Sequence, residues 1–338
     1  MTNGSVRVSV FGKTDLGRTR DHNEDTFLVA DLSTGNASLQ PEVRNHEIGP
    51  RGSLFMVADG MGGAAAGELA SAMAADHIYQ HMANTWAKEK TSSPEQFAFR
   101  MKEAVELANE QLYTYAREHP EVRGMGTTVT AAGVFGSDLY LAQIGDSRAY
   151  LIRGHQAIQL TKDQSLMQRL VDAGELTEDE AEQSERRNII LQALGPDPRV
   201  KVDLTYQSIR RGDTLILCSD GLSGLVRRDE FAELAGKYPD PQALCAALID
   251  LANERGGPDN ITVVTARFDG QALPEPEGSR GVGYRNYQPP ESPPPDTTTE
   301  SPLPHSKPDS TLSLDRLRNL GLIAILLGVL MLLLAVWR

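Results

Sequence analysis

Five aspartates stand where short apolar runs begin or end. Asp25 closes RDHNED (20–25) ahead of TFLVAD, Asp59 ends SLFMVAD, and Asp146 lies in QIGDSRAYL. Asp220 ends TLILCSD, and Asp259 lies in RGGPDNITVV, just before the last apolar run. Glu24 precedes the first of them, and glycine flanks three: Asp59–Gly60, Gly145–Asp146 and Asp220–Gly221. Aspartate and glycine punctuate strand ends as ordinary turns, and for any one position that is the plainer account. The set reads differently. Asp59 and Asp220 follow directly on strongly apolar residues, which places them at the inner edge of a core, where a carboxylate needs a partner. Several converging oxygens suit a hard cation, Mg²⁺ or Mn²⁺, better than zinc, which takes His and Cys. The two cysteines, Cys218 and Cys245, have no metal-ligand spacing.

Arg20 is the basic residue inside the first of these motifs, RDHNED. A guanidinium beside carboxylates and metal is a natural clamp for a phosphate dianion; a surface ion pair is the alternative. Metal plus arginine points to phosphoryl chemistry. No GxxxxGK[ST] loop or kinase signature set occurs, so hydrolysis is favoured over transfer from a nucleotide.

The elements that must position these groups are legible as period-2 and helical patterns. SVRVSVF alternates, TFLVAD and SLFMVAD read as buried strands, and TTVTAAGVF, LYLAQI, AYLIR, AIQLT, TLILCS and NITVVTARF follow. Leu69, Met73, Ile78, Met82 and Trp86 recur at helical spacing over Glu68 to Lys88. A second helix runs from Pro94 to Glu118 with Phe97, Met101, Val105, Ala108, Leu112 and Tyr115 inward. Ser165 to about Glu185 is polar and helical, and further helices are expected at 229–237 and 241–255. Strand blocks alternating with helix blocks imply an α+β layered fold, with two sheets and helices outside them.

Composition bounds the rest. The 338 residues carry a formal charge of -13, nearly all of it in residues 1–270, which argues against a nucleic-acid footprint. Two cysteines fit a reducing compartment rather than a disulfide framework. Residues 5–269 read as globular. Residues 270–319 hold ten of the nineteen prolines among many Ser, Thr and Glu, the composition of an extended linker. Residues 320–337, LGLIAILLGVLMLLLAVW, carry no charge and at helical rise span roughly 27 Å, enough for a single transmembrane helix; a buried core helix is the alternative. Arg316 and Arg318 before that segment, with an N-terminus unlike a signal peptide, place the preceding domain on the cytoplasmic side of a cell inner membrane.

The ordered set RDHNED, VADGMGG (57–63), GMGTT (124–128), IGDSR (144–148), CSDGL (218–222) and GGPDNIT (256–262) resembles the PPM, or PP2C-type, metal-dependent serine/threonine protein phosphatases, the bacterial branch most closely. Each motif alone is weak; their order is specific. The resemblance covers about residues 5–269 and implies a four-layer αββα sandwich with two Mn²⁺ or Mg²⁺ ions between the sheets. It further implies that Asp59 bridges both ions, that Asp220 and Asp259 hold the first, and that Glu24 and Asp25 with the Gly60 carbonyl serve the second. Asp146 with Asp220 resembles the pair that holds a third ion in bacterial members. Arg20 is expected to bind the substrate phosphate, Asn260 to support Asp259, and residues 172–195 to form a flap beside the site.

Two departures stand out. Met61 occupies the place where some members carry a histidine proposed as general acid, and His22 reads more simply as a turn residue than as its substitute. Gln164, in DQSL (163–166), replaces the histidine of the family's frequent DHSL. The function expected is hydrolysis of phosphoserine and phosphothreonine on proteins, by attack of a metal-bridging water or hydroxide, with membrane Ser/Thr kinases among the substrates. An inactive domain of the same fold that merely binds phosphoproteins is the alternative from another class.

Overall fold

The computed structural model describes residues 4–276, 278 and 281–290. Its elements, in chain order, are β1 (Arg7–Asp15), β2 (Asp25–Asp31), β3 (Asn36–Ala37), α1 (Pro41–Arg44), β4 (Asn45–Glu47), β5 (Ser53–Met61), α2 (Ala64–Asn84) and α3 (Pro94–Glu118). There follow β6 (Gly126–Thr127), β7 (Val129–Phe135), β8 (Asp138–Ile144), β9 (Arg148–Arg153), β10 (Gln156–Gln159), α4 (Leu166–Asp172) and α5 (Glu178–Glu182). The last are β11 (Asp203–Ser208), β12 (Thr214–Cys218), α6 (Asp220–Ser223), α7 (Arg228–Lys237), α8 (Pro241–Glu254) and β13 (Ile261–Asp269).

The strands form two antiparallel sheets. One runs β10-β9-β12-β13-β1-β4, the other β11-β8-β7-β5-β2-β3, with β6 paired to the end of β5. Three cores define four layers. Val8, Val10, Phe55, Val57, Leu141, Leu215 and Val264 fill the space between the sheets. Ile78, Met82, Trp86, Phe97, Met101 and Leu112 seat α2 and α3 on the outer face of the second sheet. Phe231, Leu244, Leu248 and Ile249 seat α7 and α8 on the first. The strand β5 is therefore covered on both faces, which is why SLFMVAD is apolar without alternation.

Helix starts follow local chemistry. Pro94 occupies the first turn of α3, and the Ser93 hydroxyl accepts the Gln96 amide at 3.1 Å. The helix α2 begins at Ala64, four residues ahead of the expected Glu68, because Gly62 and Gly63 take φ of 120° and 89° and complete the turn out of β5 within two residues. The sequence reading omitted β11, whose DLTYQS is polar at both ends.

The folded part does not stop at Asp269. Leu273 is buried, and Val282 packs against the core between the sheets. Farther on, Tyr206 donates its amide to the Arg285 carbonyl at 3.1 Å and Tyr287 donates to the Leu204 carbonyl at 2.7 Å, adding a short rung to the open edge of β11. The Tyr287 ring lies 5.4 Å from that of Tyr140, and the Tyr284 hydroxyl donates to Asp203 at 3.0 Å. The beginning of the proline-rich stretch is thus part of the domain rather than linker, because aromatic burial and edge pairing outweigh its composition. Residues 291–319 and the apolar run 320–337 lie outside the described residues. Among the described residues, no helix is long and apolar enough to cross a membrane.

Candidate metal centre

The expected carboxylates come from both sheets and meet at one end of the sandwich. Asp25 opens β2 and Asp59 nears the end of β5, and the two are direct partners in the antiparallel ladder. Asp220 follows β12 at the start of α6, Asp259 precedes β13, and Asp146 lies in the turn that carries the chain from β8 in one sheet to β9 in the other. Asp25 and Asp146 are buried, at 7% and 8% exposure. Asp59, Asp220 and Asp259 keep part of their surface open.

Their field is shared. Burial, and then repulsion from Asp220 and Asp259, push Asp25 up to about 7 against the hydrogen bonds it accepts. Burial, then Asp220, push Asp146 up to about 8. Asp59 is raised well above the usual carboxylate range, by burial and then by Asp25, Asp220, Asp146 and Asp259. Asp220 is raised by burial and by Asp259, while a hydrogen bond with the Asp59 carboxyl works the other way. Burial also raises Glu24. Among the described residues, no three or more His, Cys, Asp or Glu side chains already stand as a closed ligand group. Carboxylates that repel one another gather round a seam without closing on it. Among the described residues, the acidic side chains around this seam offer hard oxygen donors, and a divalent cation would offset their charge, so the residues fit Mg²⁺ or Mn²⁺.

Arg20 is an exposed cation beside them, and Arg148 acts on Asp146 and Asp220 from the buried side. The Arg20 Nη2 lies 2.8 Å from Asp259 Oδ2. Desolvation lowers the Arg20 guanidinium pKa, but Asp259, Glu24 and Asp59 more than reverse that, so it is raised.

Hydroxyl and amide side chains hold the acids in place. The Ser219 hydroxyl donates to Asp25 Oδ2 at 2.8 Å and accepts the Thr262 amide at 3.0 Å. Thr128 Oγ1 accepts the Asp59 amide at 3.1 Å and pairs with the Ser147 hydroxyl at 2.7 Å. Asn260 was expected to support Asp259, and its backbone amide does donate to Asp259 Oδ1 at 2.8 Å. Its side chain does something else: it accepts the Glu24 amide and donates to the Leu16 and His22 carbonyls, pinning the loop that carries Arg20 and Glu24. His22 itself is exposed, as a turn residue. The sequence assigned no role to Ser219, Thr128 or Ser147, although each lies inside a quoted motif; Ser219 and Ser147 directly neighbour a glycine-flanked aspartate, while Thr128 reaches Asp59 only through the fold.

Gly60 also has a local reason beyond the expected carbonyl approach. A side chain there would strike the Gly67 carbonyl of α2 and the Glu24 backbone, and one at Gly67 would strike the Glu24 carboxylate. The two glycines let β5, α2 and the Glu24 loop meet.

From the seam a cleft of about 380 Å³ runs between the flap and α7, lined by Asp146, Asp220, Met167, Asn188, Leu225 and Arg228 among others. The flap starts earlier than the expected 172, at α4, and closes where the Leu166 amide bonds the Ile189 carbonyl and the Leu191 amide the Gln164 carbonyl. At the cleft floor Arg148 makes a bidentate ion pair with Asp163.

Known proteins share both sequence and fold. Residues 38–247 match the family model described as protein phosphatase 2C. The chain is 36% identical over 259 residues to the serine/threonine phosphatase stp of Listeria monocytogenes, covering 76% of this chain and 94% of that one. The Streptococcus agalactiae serine/threonine phosphatase structure superposes with a TM-score of 0.67 at 32% identity, over 77% of this chain and 99% of that one. The catalytic domain of the phosphatase PstP, solved with two manganese ions, superposes with a TM-score of 0.63 at 34% identity, over 78% of this chain and all of that one. The chain belongs to the protein phosphatase 2C family, as a metal-dependent serine/threonine protein phosphatase of the bacterial type.

Proposed function

We propose that Asp59, Asp220 and Asp259 would hold one divalent cation, Mn²⁺ or Mg²⁺, and that Asp59 with Glu24, Asp25 and the Gly60 carbonyl would hold a second. Asp146 with Asp220 provides a third position. The observation that carries this is the convergence of four strand-end aspartates on Asp59, with Arg20 at the edge. Such cations, when bound, polarise phosphoryl oxygens and acidify water for attack on phosphorus. Arg20, exposed beside Asp259, holds the non-bridging oxygens of the phosphate by its planar fork. Ser219 and Thr128 keep the Asp25 and Asp59 carboxylates in register. With Met61 in the histidine's place and His22 exposed as a turn residue, the proton for the departing Ser or Thr oxygen would come from water or from another group.

The substrates are phosphoproteins, including Ser/Thr kinases at the inner membrane surface. The proline-rich residues 291–319 and the apolar residues 320–337 support that placement, as tether and single-pass anchor of a cytoplasmic domain. The assay is Mn²⁺-dependent phosphate release from a phosphothreonine peptide. Folded Asp59→Asn protein should lose it, and wild-type turnover by that variant would overturn the ligand assignment. Placement is tested separately: the full chain should sediment with membranes, a chain ending at Pro290 should not, and sedimentation of both would remove the anchor.

A further inference from the structure

The residue that replaces the family's histidine sits at a junction. Gln164 takes up both backbone polar atoms of Gly145, the residue before Asp146: its backbone N–H donates to the Gly145 carbonyl at 2.9 Å, and its side-chain Oε1 accepts the Gly145 amide at 2.9 Å. The same Oε1 accepts Gln192 Nε2 at 2.9 Å, and the Gln164 carbonyl accepts the Leu191 amide at 2.7 Å. Gln192 belongs to the returning limb of the flap and is itself anchored, since its side chain pairs with both the amide and the carbonyl of Lys201. Gly145 has φ of 97°, and the Thr128 side chain occupies the space a β-carbon would need, so this turn has little freedom to relax by itself.

We propose that Gln164 is a positioning residue that couples the seat of the flap to the Asp146 carboxylate, so that the cation held at Asp146 is bound tightly only while the flap limb is docked. The coupling rests on the reading of Asp146 as a cation ligand. Displacing Gln192 would remove one of two donors that orient the Gln164 amide, and the remaining bond ends on the backbone next to Asp146. The chemistry required of residue 164 is an acceptor, because both side-chain bonds terminate on Oε1 and the Gly145 amide can only donate. Glutamate supplies that acceptor in the same shape; methionine has the length without it.

The test compares Gln164→Met and Gln164→Glu in the full chain. In metal-free protein, hydrogen exchange should speed about 10-fold or more at 145–147 and at 189–192 in Gln164→Met, with β2 and β5 unchanged and Gln164→Glu close to wild type. In a calorimetric Mn²⁺ titration the weakest-bound ion should lose about 10-fold in affinity in Gln164→Met, the size usual for a residue that orients a ligand. Wild-type exchange in Gln164→Met would overturn the clamp. Faster exchange with an unchanged titration would overturn the coupling. Asp146→Asn separates the two readings: an unchanged titration there refutes Asp146 as a ligand, while the exchange experiment still decides the clamp.

Discussion

The two sides of the metal centre are built by different means. Asp25 and Asp59 face each other across the β2–β5 ladder, inside a sheet whose neighbouring strands and helices cover both faces. Their spacing is set by backbone register, and a slip of one residue would swap the side chains of β5 between its two buried faces and carry Asp59 away from Asp25. Asp146 sits instead in a turn between the two sheets, and its position depends on side-chain amides: Gln143 donates to the Gly145 and Ser147 carbonyls, and Gln164 holds Gly145. A carboxylate held by a ladder stays in place whatever the surface does. One held by amides from the base of a flap takes its geometry partly from that flap. The fold thus combines a rigid cation seam with an adjustable flank.

That contrast can be broken by mutation. Asp25→Asn should reduce turnover by roughly 10³-fold or more, and Asp146→Asn by about 10–100-fold, in Mn²⁺-dependent phosphate release from a phosphothreonine peptide. Equal losses would show that the two sides do not differ in kind. Next in size, Arg20→Lys should lower kcat/KM about 10²-fold, because an ammonium cannot replace the two-pronged contact, and inorganic phosphate should inhibit that variant more weakly. Ser219→Ala should weaken Mn²⁺ binding about 10-fold by calorimetry, while Ser219→Thr, which keeps the hydroxyl, restores most of it.

The pH dependence of the metal-free protein probes the shared field. Asp25 and Asp146 are raised in the folded state, to about 7 and about 8, so the native protein holds protons that the unfolded chain releases near pH 4. The stability this contributes is fully present only below the unfolded value, about pH 4, and is lost progressively as pH rises from there through 7 to 8. Metal-free Tm should therefore fall by several degrees between pH 5.5 and 8.5 in scanning calorimetry, and saturating Mn²⁺ should abolish the slope. A Tm that rises over that interval would contradict the raised pair. The smallest effect concerns the edge. Ending the chain at Asp269 rather than Pro290 removes Leu273 and Tyr287 from the domain and should lower Tm by at least ~5 °C, with faster exchange in β11 and β8 than in β2 and β5.

Much of this was legible beforehand. The apolar runs that end on Asp59 and Asp220 carry their own message, since a charge directly after buried residues needs a partner. The strands and long helices follow their periodicities, and Pro94 marks the start of α3 as expected. Less visible were β11 and the rung added by residues 284–287: alternation in DLTYQS is weak, and proline-rich composition hides two tyrosines, of which Tyr287 finds aromatic neighbours and Tyr284 a carboxylate only in the folded state. The hydroxyls of Ser219, Thr128 and Ser147 carry no pattern of their own, because a hydrogen-bonding side chain reads the same whether its partner is water or a carboxylate.

By itself the sequence determined which residues carry charge, which strands are buried, and the order of motifs that identifies the phosphatase family, because these depend on residue type and local period. Only tertiary structure decided that Asp25 and Asp59 are ladder partners, that Asn260 pins the Arg20 loop, and that Gln164 joins the flap to the Asp146 turn. Those relations link residues far apart in the chain, and they are settled by register and packing, which no local pattern encodes.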